Sequence, residues 1–116
     1  MSGTTEPPRA TLEPLTLDQK FALLADRQRR TLLLVLGSVG DPVSIDGLAE
    51  RFLAREDPAS ATDSAALEEL ELKLHHVHVP KLARHDILEY DAESGIVSRG
   101  PRFDRIYSWL ESHDER

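Results

Sequence analysis

A single switch in the spacing of apolar residues constrains the fold of this chain more than any other feature. Leu32, Val35, Leu36 and Val39 recur at i, i+3, i+4 and i+7, and Ile45, Leu48, Ala49, Phe52 and Leu53 repeat that spacing. A third helical run fills the stretch from Ala65 to Asp86. The pattern then changes to two short β-prone runs, Ile87–Tyr90 and Ile96–Ser98, around a turn containing Gly95. Helical spacing returns once more, in Phe103, Ile106, Tyr107 and Leu110. Punctuation agrees with these limits. Thr16 and Gln19 form a capping-box pair ahead of a short apolar face of Phe21, Leu24 and Ala25. Asp26, Ser44 and Asp63 or Ser64 are good caps for the helices that follow. Gly37 and Gly40 offer one helix end, Asp41–Ser44 reads as a turn, and Pro101 suits a helix start.

The order is therefore four helices, a hairpin and a last helix. The expected class is mainly α with a small β-hairpin (α+β), and three helices followed by a two-stranded ribbon is the winged helix–turn–helix arrangement. At 116 residues one domain is expected. Residues 1–15, rich in Pro, Thr and Glu without apolar period, read as a disordered tail. Residues 16–100 form the winged-helix domain, and 101–116 a C-terminal helix. Aromatic residues are only 5% of the chain, so Leu, Val and Ala must supply most of the core.

Several function classes drop out. The chain has no cysteine, which excludes disulfide scaffolds, thiolate metal sites and cysteine nucleophiles. No apolar run approaches the roughly 20 residues that span a bilayer, and the N-terminus has no hydrophobic signal core, so no membrane partner and a cytoplasmic location are expected. No phosphate-binding glycine loop or dinucleotide fingerprint is present, and no cofactor, small-molecule substrate or catalytic residue is assigned.

The stretch His75–His85 holds four histidines, two basic residues and Pro80. On a helical wheel, Leu67, Leu70, Leu74 and Val77 share one side within about 80°, and His78 and Leu82 extend it, which makes His78 a core or boundary histidine. Glu69, Lys73, His76 and Arg84 lie opposite with Pro80, Lys81 is at their edge, and His75 points elsewhere at about 80°. Histidines that project in three directions do not converge on zinc, so no metal site is assigned. Pro80 costs a helix interior roughly 3 kcal/mol. Either the helix kinks there, or one helix stops near Val79 and another begins with Pro80 in its first turn.

The net charge of −7 opposes nucleic-acid binding by default. Locally the balance differs: between Leu72 and His85 stand Lys73, Lys81 and Arg84 and no acid. Arg27, Arg29 and Arg30 open a helix at the end where the macrodipole disfavours cations, which hints at an outside anion. Lys73, His76, Lys81, Arg84, Arg29 and Arg30 are thus the candidate contacts to double-stranded DNA. The hairpin turn carries Asp91 and Glu93 and is assigned no such contact. The competing expectation is a protein-interaction or homodimerisation module, with Phe103, Ile106, Tyr107, Trp109 and Leu110 of the last helix at the interface; if the stripe of Phe103, Ile106, Tyr107 and Leu110 covers the domain's own core instead, Trp109 is left at the boundary.

Residues 17–100 also resemble a winged-helix family of unknown function abundant in halophilic archaea. The resemblance rests on the Arg29–Arg30 helix start before a leucine run, on the VSxxxLA element Val43–Ala49, on the HxHxPKL element His76–Leu82, and on the run Ile87–Asp91. His85–Asp86 departs from the pattern, which has a small residue and then glycine there. The resemblance implies a DNA-binding, transcription-regulator-like domain. It also implies a salt-rich cytoplasm in which acidic surfaces stay hydrated and a distant acidic face is screened within about 3 Å at 1 M salt.

Overall fold

A computed structural model describes residues 13–113. The helices are α1 (Leu17–Leu24), α2 (Arg27–Leu36), α3 (Ile45–Glu56), α4 (Ser64–Lys73), α5 (Val79–Arg84) and α6 (Phe103–His113). The strands are β1 (Val43–Ser44), β2 (Leu88–Asp91) and β3 (Ile96–Arg99). A π-helical turn, Leu74–His78, joins α4 to α5 without a break. The result is a small α+β domain with a three-stranded antiparallel sheet in the order β1-β3-β2.

Capping chemistry sets the helix starts. Thr16 Oγ1 accepts from Gln19 N at 3.1 Å while Gln19 Oε1 accepts from Thr16 N at 2.9 Å, which completes the capping box. Asp26, Ser44 and Asp63 accept from the first-turn N–H groups of α2, α3 and α4. Helix α2 is the centre of the molecule, with Leu32, Leu33, Val35 and Leu36 all buried. It packs against α1, α3 and α6, and α5 packs on β2.

The hairpin forms as expected, and Gly95 takes a φ of +72° in its turn. The strand β1 is not foreseen: Asp41–Ser44 reads as a turn, yet Val43 and Ser44 pair with Val97 and Ile96. Two residues are too short to display a period, and their pairing depends on β3, over fifty positions away. Val97 is completely buried with Val43 on one side and Tyr90 on the other.

The chain between α5 and β2 holds the departure at His85–Asp86. Ile87 N donates to Leu82 O and Asp86 N to Ala83 O, the paired bonds of a Schellman motif, and Asp86 sits at φ +61° where glycine is the usual occupant. Leu82 and Ile87, the apolar pair of that motif, are completely buried. Gly100 crosses directly over it: a Cβ there would lie 2.6 Å from Asp86 O.

Three expectations are corrected. In α1 the buried residues are Leu23 and Leu24, whereas Phe21 is 55% exposed and Ala25 also faces solvent. Within the stretch read as a tail, residues 1–12 lie outside the described residues, but Leu15 is buried in the core and Glu13 O accepts from Arg102 Nε and Nη2 at 3.0 and 2.7 Å. In α6, residues 114–116 are outside the described region; Phe103, Ile106 and Leu110, expected at a dimer interface, are instead buried in the chain's own core. That stripe covers one side of α2. Tyr107 and Trp109 remain half-buried, and Tyr107 lies so close to Gly37 that a Cβ there would clash with its ring.

Candidate nucleic-acid interface

Pro80 decides the geometry of the long third helix. An α-helix through it would require a hydrogen bond from residue 80 to the carbonyl of His76, which proline cannot give. The chain answers with the π turn, in which Val79 N donates to Leu74 O, and α5 begins with Pro80 in its first turn. Neither alternative that the sequence leaves open holds in full: the chain stays helical through the π turn, and Pro80 falls in the first turn of α5.

The π turn moves side chains. Its wider winding advances each residue through a smaller angle, so the inner stripe runs Leu70, Leu74, His78, Val79 and Leu82, all buried. Val77, expected inside, is pushed outward to 49% exposure. The outer face of α4, the π turn and α5 therefore carries Leu72, Lys73, His76, Val77 and Arg84, all exposed, with Pro80 and Lys81 half-buried among them. No carboxylate stands between Leu72 and His85, although Glu68 and Glu69 are exposed one turn earlier. Lys81 and Arg84 occupy the last turn of α5, where cations are favoured.

The other histidines have separate structural partners. His78 is 3% exposed and its Nε2–H donates to Gln28 Oε1 at 3.0 Å, leaving Nδ1 buried without a partner among the described residues. Burial lowers its pKa, helped by the charges of Arg29 and Lys73 and opposed by Asp26. His75 Nδ1 and the Tyr90 hydroxyl share a hydrogen bond, and the two rings meet edge-on, 5.7 Å between centroids, which ties the π turn to β2. His85 Nδ1–H donates to Lys81 O at 3.0 Å. Among the described residues, no three metal-ligating side chains converge.

Beside His75, Asp46 of α3, the hairpin tip at Glu93 and Glu71 of α4 make an acidic flank. Burial, together with Asp46 and Glu68, raises the Glu71 carboxyl, against the pull of His75. This flank adjoins the outer face on the hairpin side and repels polyanions, in line with the hairpin tip having no assigned phosphate contact.

Arg29 and Arg30 do not join the outer face. Arg29 is buried; its Nε donates to Leu23 O at 2.6 Å and its Nη2 to Ala22 O at 3.4 Å. Arg30 Nη1 donates to Leu24 O and Ala25 O at 2.7 and 3.2 Å. They open α2 but lie against the closing carbonyls of α1, where a cation is favoured, so the anion inferred from their position is the end of a neighbouring helix. Arg27 pairs with Glu56 at 3.2 Å. The expected phosphate contacts at Arg29 and Arg30 are thereby withdrawn.

Sequence reasoning missed two residues of the face, Leu72 and Val77. Leu72 stood on the polar side of the wheel all along. Val77 was hidden by the assumption of uniform helical winding, and Pro80 was the signal that the winding changes.

A second surface is built from α1 and α6. Leu17 and Phe21 of α1 are more than half exposed, Phe21 meets Trp109 edge-on at 6.0 Å, and the Lys20 ammonium sits 5.6 Å from the Trp109 ring centre. Beside them a cleft of about 530 Å3 is lined by Leu15, Pro101, Ile106 and Trp109 among others. No helix of the described residues is long and apolar enough to cross a membrane.

Neither a curated protein nor a solved structure matches the chain. The family model described as Domain of unknown function (DUF7344) matches residues 21–98, from α1 through β3 and including the whole outer face, and the chain belongs to that family.

Proposed function

We propose that this protein is a winged-helix DNA-binding protein that acts as a transcriptional regulator. In this reading α2, α3 and the α4–α5 rod are the three-helix core, β2 and β3 the wing, and the rod lies in the major groove. The observation that carries it is the outer face of that rod. Lys73, His76, Lys81 and Arg84 project away from the core along one side of the helix that such folds insert into DNA. The stretch is +3 without an acid, in a chain of −7. The acidic remainder suits a salt-rich cytoplasm, where the screening length of about 3 Å at 1 M leaves only close contacts effective. Affinity then depends on base-edge contacts more than on counterion release.

The test is binding of genomic fragments in molar KCl by the wild type and by Lys73→Glu/Arg84→Glu. Both positions are exposed, so the fold should be unaffected. The double variant should lose at least tenfold in affinity, because a good side-chain contact to a base contributes about 1–3 kcal/mol. Unchanged affinity would remove these residues from the interface.

One observation favours a second reading, a protein-docking module without DNA binding. The exposed Leu17 and Phe21 beside Trp109 form an apolar surface on which a second copy of the chain could pack about a two-fold axis. It replaces the α6 stripe as the candidate dimer surface, since that stripe is buried within the chain.

A further inference from the structure

Four large apolar side chains are prominently exposed among the described residues: Leu17 and Phe21 on α1, and Leu72 and Val77 on the α4–α5 rod. The second pair lies where the DNA-binding reading puts base-edge contacts. Leu72 is 60% exposed at the end of α4, and Val77 reaches solvent only because the π turn rotates it out of the inner stripe. Lys73 and His76 stand between them in sequence and are exposed on the same face; Lys81 and Arg84 continue it.

An apolar pair framed by cations needs an occupant that is anionic at its edges and apolar at its centre. The duplex major groove meets that need at thymine. Phosphates line its rims, and the C5-methyl of thymine is the apolar group displayed on its floor. The spacing is suitable: five positions separate Leu72 from Val77, about 7.5 Å along a helix at 1.5 Å per residue, or slightly more than two base-pair steps at about 3.4 Å each.

The geometry points to Leu72 and Val77 as specificity-determining residues that contact thymine methyl groups, so that the protein prefers sites with thymines about two steps apart. The inference rests on the DNA-binding reading above and adds which chemical group is read. In molar salt it gains force, because methyl contacts are not screened whereas phosphate contacts are. The acidic flank formed by Asp46, Glu71 and the Glu93 tip pushes the phosphates off the hairpin side and leaves discrimination to the rod.

The experiment uses the full chain. Duplexes are selected from a random library by the wild type in molar KCl, and the selected sequences are resynthesised with uracil in place of thymine, which removes only the methyl groups. Each lost methyl contact should weaken binding about fourfold, and two contacts about 15-fold. Leu72→Ala/Val77→Ala should bind thymine and uracil duplexes equally. Both residues are exposed, so their truncation leaves the core intact. If the wild type binds both duplexes equally, methyl reading is overturned and DNA binding stands. If the double variant still discriminates, the assignment to these two residues is overturned. If no duplex is enriched at any salt concentration, both readings fall, and Leu72 and Val77 belong to a protein interface.

Discussion

Two residues carry chemistry that is sensitive to small changes. Burial depresses the folded pKa of His78, against the attraction of Asp26. A depressed histidine makes the unfolded chain bind more protons as pH falls through the unfolded value of about 6.5, so stability is fully present above that value and declines below it. Denaturant unfolding should show stability falling as pH drops below about 6.5, by at most about 1.4 kcal/mol per pH unit. The variant His78→Gln should flatten that slope. Asp26 acts in a different window. Burial would raise its carboxyl, but the N–H of Arg29, the charge of His78, the N–H of Gln28 and the charge of Arg29 hold it below the usual value, so its contribution is lost only in stronger acid. A slope as steep in the variant as in the wild type would show that His78 is not the titrating group.

Asp86 is the other residue. A left-handed conformation costs an L-residue roughly 1–2 kcal/mol, less for Asp and Asn. What Asp86 contributes in return is an exposed ion pair to Arg102 at 3.5 Å, a contact of little worth. The variant Asp86→Gly should therefore be more stable by about 0.5–1 kcal/mol, read as a raised Tm. The resemblance implied glycine at this position, and the positive φ of Asp86 is the physical reason for it.

At the scale of elements, helix ends are held by arginines from elsewhere in the chain. Arg29 and Arg30 close α1; Arg99 of β3 donates through Nη2 to Leu36 O at 2.8 Å and closes α2. Arg102 joins the carbonyls of Glu13 and His85. Replacing Arg29 by Met keeps the buried stem and removes the donors, leaving the carbonyls of Leu23 and Ala22 without them. The expected cost is about 1–3 kcal/mol in denaturant unfolding, with wild-type DNA affinity if the residue has no role in binding. A loss of affinity without loss of stability would restore Arg29 to the interface. These closures explain which parts of the fold were legible. N-caps are local, and Thr16, Asp26, Ser44 and Asp63 all sit where their sequence contexts place them. Closure by Arg99 or Arg102 joins residues far apart, as does β1, and neither leaves a local pattern. The inner stripe of the third helix was legible up to Leu74 and lost at Val77, where the π turn ends uniform winding.

At the scale of the molecule, two surfaces compete for a function. The rod face is basic with two apolar side chains; the α1–α6 surface is apolar with one lysine over an indole. Composition identified the first through its local charge excess and missed the second, because Phe21 was placed inside α1 and the α6 stripe outside. Neither error concerns element type; both concern which side of an amphipathic helix meets the core, and that depends on packing partners that helical spacing does not specify. The two readings separate most directly in one measurement: backbone amide NMR of the full chain titrated with selected duplex DNA in high KCl. DNA binding by the rod predicts shifts concentrated at Leu72–Arg84, strongest at Lys73, His76, Val77, Lys81 and Arg84, with α1 and α6 unmoved. Shifts confined to Leu17–Phe21 and Trp109, or none at any duplex concentration, would contradict it.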